Sequence, residues 1–253
     1  MTIEERLDTM QKTIDALQAQ LDRKTDKECI VNLMGRYQYL FAAYRCEEIL
    51  DQLWANDPDI HLEDGASGVY LYDRNGVGDY YRQRFGAGSP PAPGQMRMDA
   101  ITTPVVEVSQ DGQTAKGVWI SIGHESAAYP DGIESGIPSV DAAEPDRYGN
   151  RVYAHWVWKK YAADFLKVNN QWKIWHLHIY DIFRCPFDEN WVTYSITRDE
   201  DDAALDSRVR LDHGGITPEN PTTFHWQYRV DTVPVLEPQP PVPYATFPDT
   251  FSY

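Results

Sequence analysis

At 253 residues, 42% apolar and 13% aromatic, the chain is long enough to bury one substantial core and still carry an appended arm or tail. Its net charge of −16 opposes phosphate backbones and anionic lipid surfaces, which excludes nucleic acid and membranes as expected partners and leaves a small neutral or weakly acidic molecule. Three cysteines without CxxC spacing (Cys29, Cys46, Cys185) give neither a metal knuckle nor an even disulfide framework, and the start "MTIEERLDTM" lacks the basic and apolar run of a signal peptide; a cytoplasmic location is expected.

Ile3, Leu7, Met10, Ile14, Leu17 and Leu21 are spaced 4, 3, 4, 3, 4, the a/d seam of a coiled coil carried through about three heptads. This arm, residues 1–25, either joins subunits into a homo-oligomer (dimer or trimer) or lies on its own domain. From Asp26 a second helical pattern places Ile30, Leu33, Met34, Tyr37, Leu40, Phe41 and Tyr44 on one face, and Glu47 to Trp54 reads as a further short helix. "DIHLED" alternates like a strand and leads into turn residues Gly65 to Gly68. "RNGVGDYYRQRFGAG" reads as a short helix and loop, and "GSPPAPG" as loop. "MDAITTPVVEVSQDGQTAKGVWISIGHES" reads as strand, Asp-Gly turn, strand. Ala127 to Tyr148, rich in Gly, Pro and acids, is expected to be a long excursion. "RVYAHWVWKKYAADFLKVNNQWKIWHLHIY" then forms two strands around a turn at "VNNQ". The remainder is proline-rich and mostly irregular, with Tyr244, Phe247, Phe251 and Tyr253 as apolar anchors that would pack it on its own or a neighbouring subunit.

The order of these pieces, above all "TTPVVEVSQDGQTAKGVW" and "QWKIWHLHIY", resembles the SnoaL-like branch of the nuclear transport factor 2-like superfamily over about Lys27 to Trp191. The resemblance implies an α+β cone, a strongly curved antiparallel sheet wrapped around a long helix, over residues 26–195, with 196–253 as an extension. It implies the fold more firmly than the chemistry, because the superfamily includes isomerases, dehydratases, cyclases, lyases and binding modules.

Strand parity then sorts the last hairpin. His155, Val157, Lys159, Tyr161, Ala163 and Phe165 share one face; Trp156, Trp158 and Lys160 share the other. Tyr161 falls where similar ketosteroid isomerases carry a pocket acid, so the His155–Lys159–Tyr161 face is expected inside and the Trp face against the tail or another subunit. The same alignment sends Lys173, Trp175, Leu177 and Ile179 inward and His176 and His178 outward, unless a bulge intervenes. Asp99 takes the place of a catalytic His of similar dehydratases, and could act as acid or base; Trp119 takes that of a second His and would offer a stacking wall. Lys159 inside would be a proton donor or oxyanion stabiliser; at the rim it would merely reach solvent. Tyr37 and Tyr44, i and i+7 on the helix, can both face the pocket, while the helix position where the family often has an Asp reads Ala43. Glu63 and Asp64 lie near where ketosteroid isomerases place their base, and His124–Glu125 in "SIGHES" could gate the mouth. For each of these residues an ordinary packing, turn or surface role is the competing reading. His176 and His178 lack an identifiable third ligand, so no metal is expected.

Three functions fit. The first is a cofactor-independent lyase on a bulky phenolic aromatic: the "VWISIGHES" and "WKKYAADF" stretches and the aromatic tail look similar to diarylpropane γ-formaldehyde lyases of lignin-dimer breakdown. That likeness implies catalysis by Lys159, Asp99, Tyr161, His155 and Tyr37, with Tyr44, Trp119, Glu63, Trp175 and His124 around the substrate. The second is a dehydratase, isomerase or cyclase on a polycyclic ketone or steroid-like compound. The third is a non-catalytic binding subunit.

Overall fold

A computed structural model of the chain describes residues 2–65, 69–84, 94–133, 141–194, 223 and 227–253. The Thr2 hydroxyl accepts from the Glu5 N–H and the Glu5 carboxylate accepts from the Thr2 N–H, a capping box that starts helix α1 (Ile3–Ala42). The two helical patterns of the sequence are one 40-residue helix. Lys24 ends the apolar seam, but Arg23, Lys24, Lys27 and Glu28 favour helix and no Gly or Pro separates the patterns. Burial begins only at Asp26 and continues through Ile30, Leu33, Met34, Tyr37, Gln38 and Phe41. The seam residues Ile3 to Leu21 are each 55–77% exposed, so the arm does not lie on its own domain. After a left-handed Tyr44 (φ 57°), α2 (Cys46–Glu48) runs into a π-helical turn (Ile49–Leu53) that buries Ile49, Leu50 and Leu53.

Six strands form one curved, unclosed sheet in the order β2-β1-β6-β5-β4-β3. Strands β3 (Met96–Val108), β4 (Thr114–Pro130), β5 (Asn150–Val168) and β6 (Gln171–Pro186) are an antiparallel meander. Strand β4 continues to Pro130, so the expected excursion starts later than Ala127: its residues pair with β5 as far as Pro130 opposite Asn150. The β5–β6 turn has positive φ at both Asn169 (48°) and Asn170 (60°), the primed geometry that asparagine tolerates. Strand β1 (His61–Asp64) pairs parallel to β6 and antiparallel to β2 (Val69–Tyr72), a strand not anticipated from sequence; α3 (Asp73–Arg84) follows.

The domain half of α1 lies in the concavity, where Ile30, Met34 and Tyr37 join Tyr161, Phe165, Leu177 and Ile179 in the main core. The described tail crosses the convex face. Tyr228 N–H donates to the Ile182 carbonyl (2.7 Å), Lys160 donates to the Glu237 carbonyl, and Tyr253 N–H donates to Asp164 (3.0 Å). Among the described residues no helix is long and apolar enough to cross a membrane.

Candidate active site

The concave face of β5 carries Val157, Lys159, Tyr161, Ala163 and Phe165 inward, all buried. Lys159 Nζ donates to Asp99 Oδ2 at 2.8 Å, and the Tyr161 hydroxyl donates to the same oxygen at 3.1 Å. Asp99 comes this close because its Cα partner across β3–β4 is Gly123: a Cβ there would sit 2.1 Å from Asp99 Oδ1. The network continues. Lys159 Nζ lies 3.8 Å from Glu125, and Glu125 also accepts from Arg184 and faces Arg97 Nε at 3.4 Å. Arg184 in turn donates to the Tyr153 hydroxyl (3.2 Å) and approaches Asp181 (3.5 Å).

Burial pulls the Lys159 ammonium down, but Asp99, then Glu125 and Asp181, outweigh it and hold it above its usual range. Burial likewise pushes Glu125 up, and Arg184, Arg97 and Lys159 overcome it to hold the carboxylate well below its usual range. Asp181 goes the other way, because burial raises it more than Arg184 and Lys159 lower it. His155, stacked at 4.2 Å on Tyr153, is lowered to about 4 by burial and by Arg184, so it is a neutral imidazole at pH 7. Among the described residues, Asp99 Oδ1, Asp181 Oδ1, Ser121 Oγ and His155 Nδ1 are buried here without a hydrogen-bond partner. The arrangement therefore offers an ammonium, a protonatable carboxyl and a neutral base with unused capacity.

Aromatic side chains close around this wall. Tyr37, fully buried, accepts from the Tyr81 hydroxyl (3.3 Å) and sets its ring edge-on to Tyr161 (6.4 Å). Burial raises both Tyr37 and Tyr161 well above the usual phenol range, keeping them protonated donors. Tyr44 lies under the Arg97 guanidinium, 5.6 Å from its ring. Trp119 is deeper, edge-on to Phe165 at 6.1 Å, and its ring lies over Gly117, where a Cβ would meet it at 2.4 Å.

Three anticipated residues lie elsewhere. Glu63 faces outward, because the parallel register sets Glu63 opposite His178 and both point to the convex face; there it accepts from His178 (2.5 Å) and the Thr223 hydroxyl (2.8 Å). Its neighbour Asp64 turns inward and accepts from Tyr80 (2.8 Å). His124 also faces outward, 4.7 Å from the Trp156 ring, and Glu125 takes the inward position. Trp175 is the extra residue of a bulge between Ile174 and His176, which turns its ring out of the wall and onto His176 (4.2 Å) and Phe247 of the tail (4.7 Å).

Arg184, Asp181 and Arg97 were missed, and Glu125 was anticipated only beside His124 as a gate. Parity would have found three: Glu125 follows Trp119 by six residues, Asp181 follows Ile179 by two, and Arg97 precedes Asp99 by two. Arg184 depends on a second bulge, where Trp158 pairs with Phe183 but Lys159 with Asp181.

The convex face holds a second polar cluster. Lys116 donates to Asp164 at 2.5 Å inside a cage of Phe247, Phe251 and Tyr253 rings, 4.7–4.8 Å from its ammonium. Asp164 also bonds His176 Nδ1, Ser252 Oγ (2.8 Å each) and Tyr253 N–H. His61 Nε2 meets His178 Nε2 at 3.1 Å. Among the described residues no group of three or more His, Cys, Asp or Glu is arranged to hold a metal ion.

A curved sheet around a helix, with a buried ionisable wall in its concavity, defines a protein of the nuclear transport factor 2-like class. The SnoaL-like domain model matches residues 22–178, and the chain belongs to that family. No curated protein matches the sequence. Among solved structures it is similar to a provisionally named scytalone dehydratase from Novosphingobium aromaticivorans (12% identity, 67% of this chain and 92% of that one, TM-score 0.46). It is also similar to the hexachlorocyclohexane dehydrochlorinase LinA-type3 from Novosphingobium barchaimii (14%, 68% and 96%, 0.46) and to the Kfla4162 protein from Kribbella flavida (17%, 64% and 93%, 0.44).

Proposed function

We propose that the protein is a lyase that works by general acid–base catalysis on a bulky phenolic aromatic molecule, releasing formaldehyde from a lignin-derived diarylpropane diol. The observation that carries this reading is a buried ammonium, Lys159, held by a carboxylate that also accepts from a phenol, with the neutral His155 on the same face of β5. The sequence likeness of "VWISIGHES" and "WKKYAADF" supports the substrate class.

In the proposed reaction His155 takes the proton of the para-phenol while Lys159 protonates the departing benzylic hydroxyl, so water leaves and a quinone methide forms. The neutral amine of Lys159, steadied by Asp99, then takes the proton of the terminal hydroxyl. The carbon–carbon bond to that carbon breaks, its electron pair enters the quinone methide, formaldehyde departs, and a stilbene phenolate remains to recover the proton from His155. Each step is a proton transfer or bond cleavage without net redox change, and the Tyr161 and Tyr37 hydroxyls supply donors to developing negative charge. Incubating the protein with a phenolic diarylpropane diol tests this: formaldehyde and stilbene should appear in equal amounts, and Lys159→Met should abolish both.

A second reading, a dehydratase, isomerase or cyclase acting on a polycyclic ketone, is favoured by the Tyr37–Tyr81 hydroxyl pair, which could hold an enolate while Asp99 moves a carbon-bound proton. Isomerised or dehydrated product without aldehyde would select it.

A further inference from the structure

The N-terminal arm presents six large apolar side chains to solvent along about 36 Å of helix, at 1.5 Å per residue over its 24 or so exposed residues. The repeat is 3.5 residues rather than 3.6, so the stripe stays on one side only if the helix winds around another helix. We propose that the occupant of this seam is the same arm of a second copy, paired antiparallel with Ile3 opposite Leu21, Leu7 opposite Leu17 and Met10 opposite Ile14.

The orientation follows from charge. Glu4, Glu5 and Asp8 outweigh Arg6 and leave the tip of the arm acidic, whereas at the root Arg23, Lys24 and Lys27 are balanced in number by Asp22, Asp26 and Glu28 but are the charged arm residues that line the groove there, with Asp26 turned to Lys167 and Trp172. A parallel pair would set the two acidic tips side by side and put Lys24, the next seam position after Leu21, against its own copy. The antiparallel pair instead sets each acidic tip beside the Arg23 and Lys24 side of its partner's root and lets Lys24 pass the end of its partner. The flanks of the seam, Gln11, Thr13, Gln18 and Gln20, are neutral and oppose neither arrangement.

The root also has room for a tip. An open groove of about 740 Å³ lies there, lined by Gln20, Arg23, Lys24 and Lys27 of the arm, Glu107 of β3 and Tyr244 of the tail. Lys27 is already paired with Glu107 (3.1 Å), so Arg23 and Lys24 are the cations offered to an incoming acidic turn. Six seam residues and their flanks from each arm would bury on the order of 1,200–1,600 Å² in total, within the range of stable specific interfaces. The pairing separates the two domains to opposite ends of a rod and leaves both concave sites untouched.

The test uses the full chain with exposed Cys29 replaced (Cys29→Ser), carrying Leu7→Cys or Leu17→Cys, oxidised separately and as a mixture. Asp15→Cys, on the outward side of the helix, sets the background. Antiparallel pairing predicts a disulfide-linked species in the mixture at least tenfold above that background, with neither variant linking to itself. Self-linking of Leu7→Cys alone would mean a parallel pair and overturn the proposal, as would a mixture that stays at background. Glu4→Lys combined with Glu5→Lys should reduce the linked fraction severalfold at low salt, and an undiminished yield would remove the charge argument for the orientation.

Discussion

Two buried lysine–aspartate pairs lie on opposite faces of the same sheet, Lys159–Asp99 in the concavity and Lys116–Asp164 on the convex side, with nitrogen–oxygen distances of 2.8 and 2.5 Å. Their surroundings differ. On the convex side the tail fills in around the pair: Asp164 takes bonds from Lys116, His176, Ser252 and the Tyr253 backbone, and three aromatic rings enclose the ammonium. In the concavity no described residue bonds Asp99 Oδ1, Asp181 Oδ1, Ser121 Oγ or His155 Nδ1. A buried network closed by its own chain serves the fold, whereas one with unbonded polar atoms has lost stability that a bound molecule can restore. Both contain lysine, histidine and carboxylate, so residue inventory alone would not separate them.

Paired substitutions break this comparison most sharply. Lys159→Met should lower turnover by about 10²–10⁴-fold, measured as formaldehyde release by the folded protein. Lys116→Met should instead cost about 3–5 kcal/mol of stability by stranding Asp164, read from urea unfolding, with turnover per folded molecule close to that of the parent. If the two variants behave alike, the division into reactive and structural faces is wrong.

Next in size is Gly123→Ala. Its methyl group would collide with Asp99 and displace it from Lys159, so activity should fall on the order of a hundredfold while secondary structure by circular dichroism is kept. Acid sensitivity should be smaller and shared between the faces. His61 and His155 are held neutral in the folded chain, lowered to about 3 and about 4 by burial, with the neighbouring histidines adding for His61 and Arg184 for His155. Once unfolded they take up protons near 6.5, so below that pH the unfolded chain binds more protons and stability falls as pH decreases toward 4. The loss between pH 7 and pH 5 should be about 1–2 kcal/mol for each of the two histidines by chemical denaturation, and replacing His61 by Phe should remove its share. The same lowered His155 should put the acid limb of kcat/KM near 4 rather than 6.5. Smallest of all, His124→Ala should leave turnover unchanged, because its ring lies on the convex side against Trp156.

What was legible in the sequence depended on which strands carry a face label of their own. Strand β5 pairs with β4 without a bulge, so its alternation is never interrupted and parity placed His155, Lys159 and Tyr161 together. In β6 parity was right from His176 to Asp181 and failed at Trp175 and again at Ile182, where one extra residue shifts the count. Strand β1 gave no label: His61, Leu62, Glu63 and Asp64 are all buried, so a four-residue alternation could not tell in from out, and only the parallel pairing with β6 sets Glu63 outside. On the convex side Lys116, Asp164 and His176 are cross-strand partners on β4, β5 and β6, but the tail that closes the cluster with Ser252 follows a course no periodicity describes.

The parallel seat of β1 on β6 also imposes a schedule. Strands β3 to β6 are neighbours in sequence, and the β3–β4 and β5–β6 pairs can each close from a short turn, so their contacts need little chain entropy to form. Strand β1 must wait: its partner His176 lies 115 residues beyond His61, and the tail that covers both lies later still. Pulse-labelled hydrogen exchange during refolding should therefore find the amides of β5 and β6 protected first, those of β1 second and the Tyr253 amide last, with the convex lysine still in water when the concave one is already enclosed.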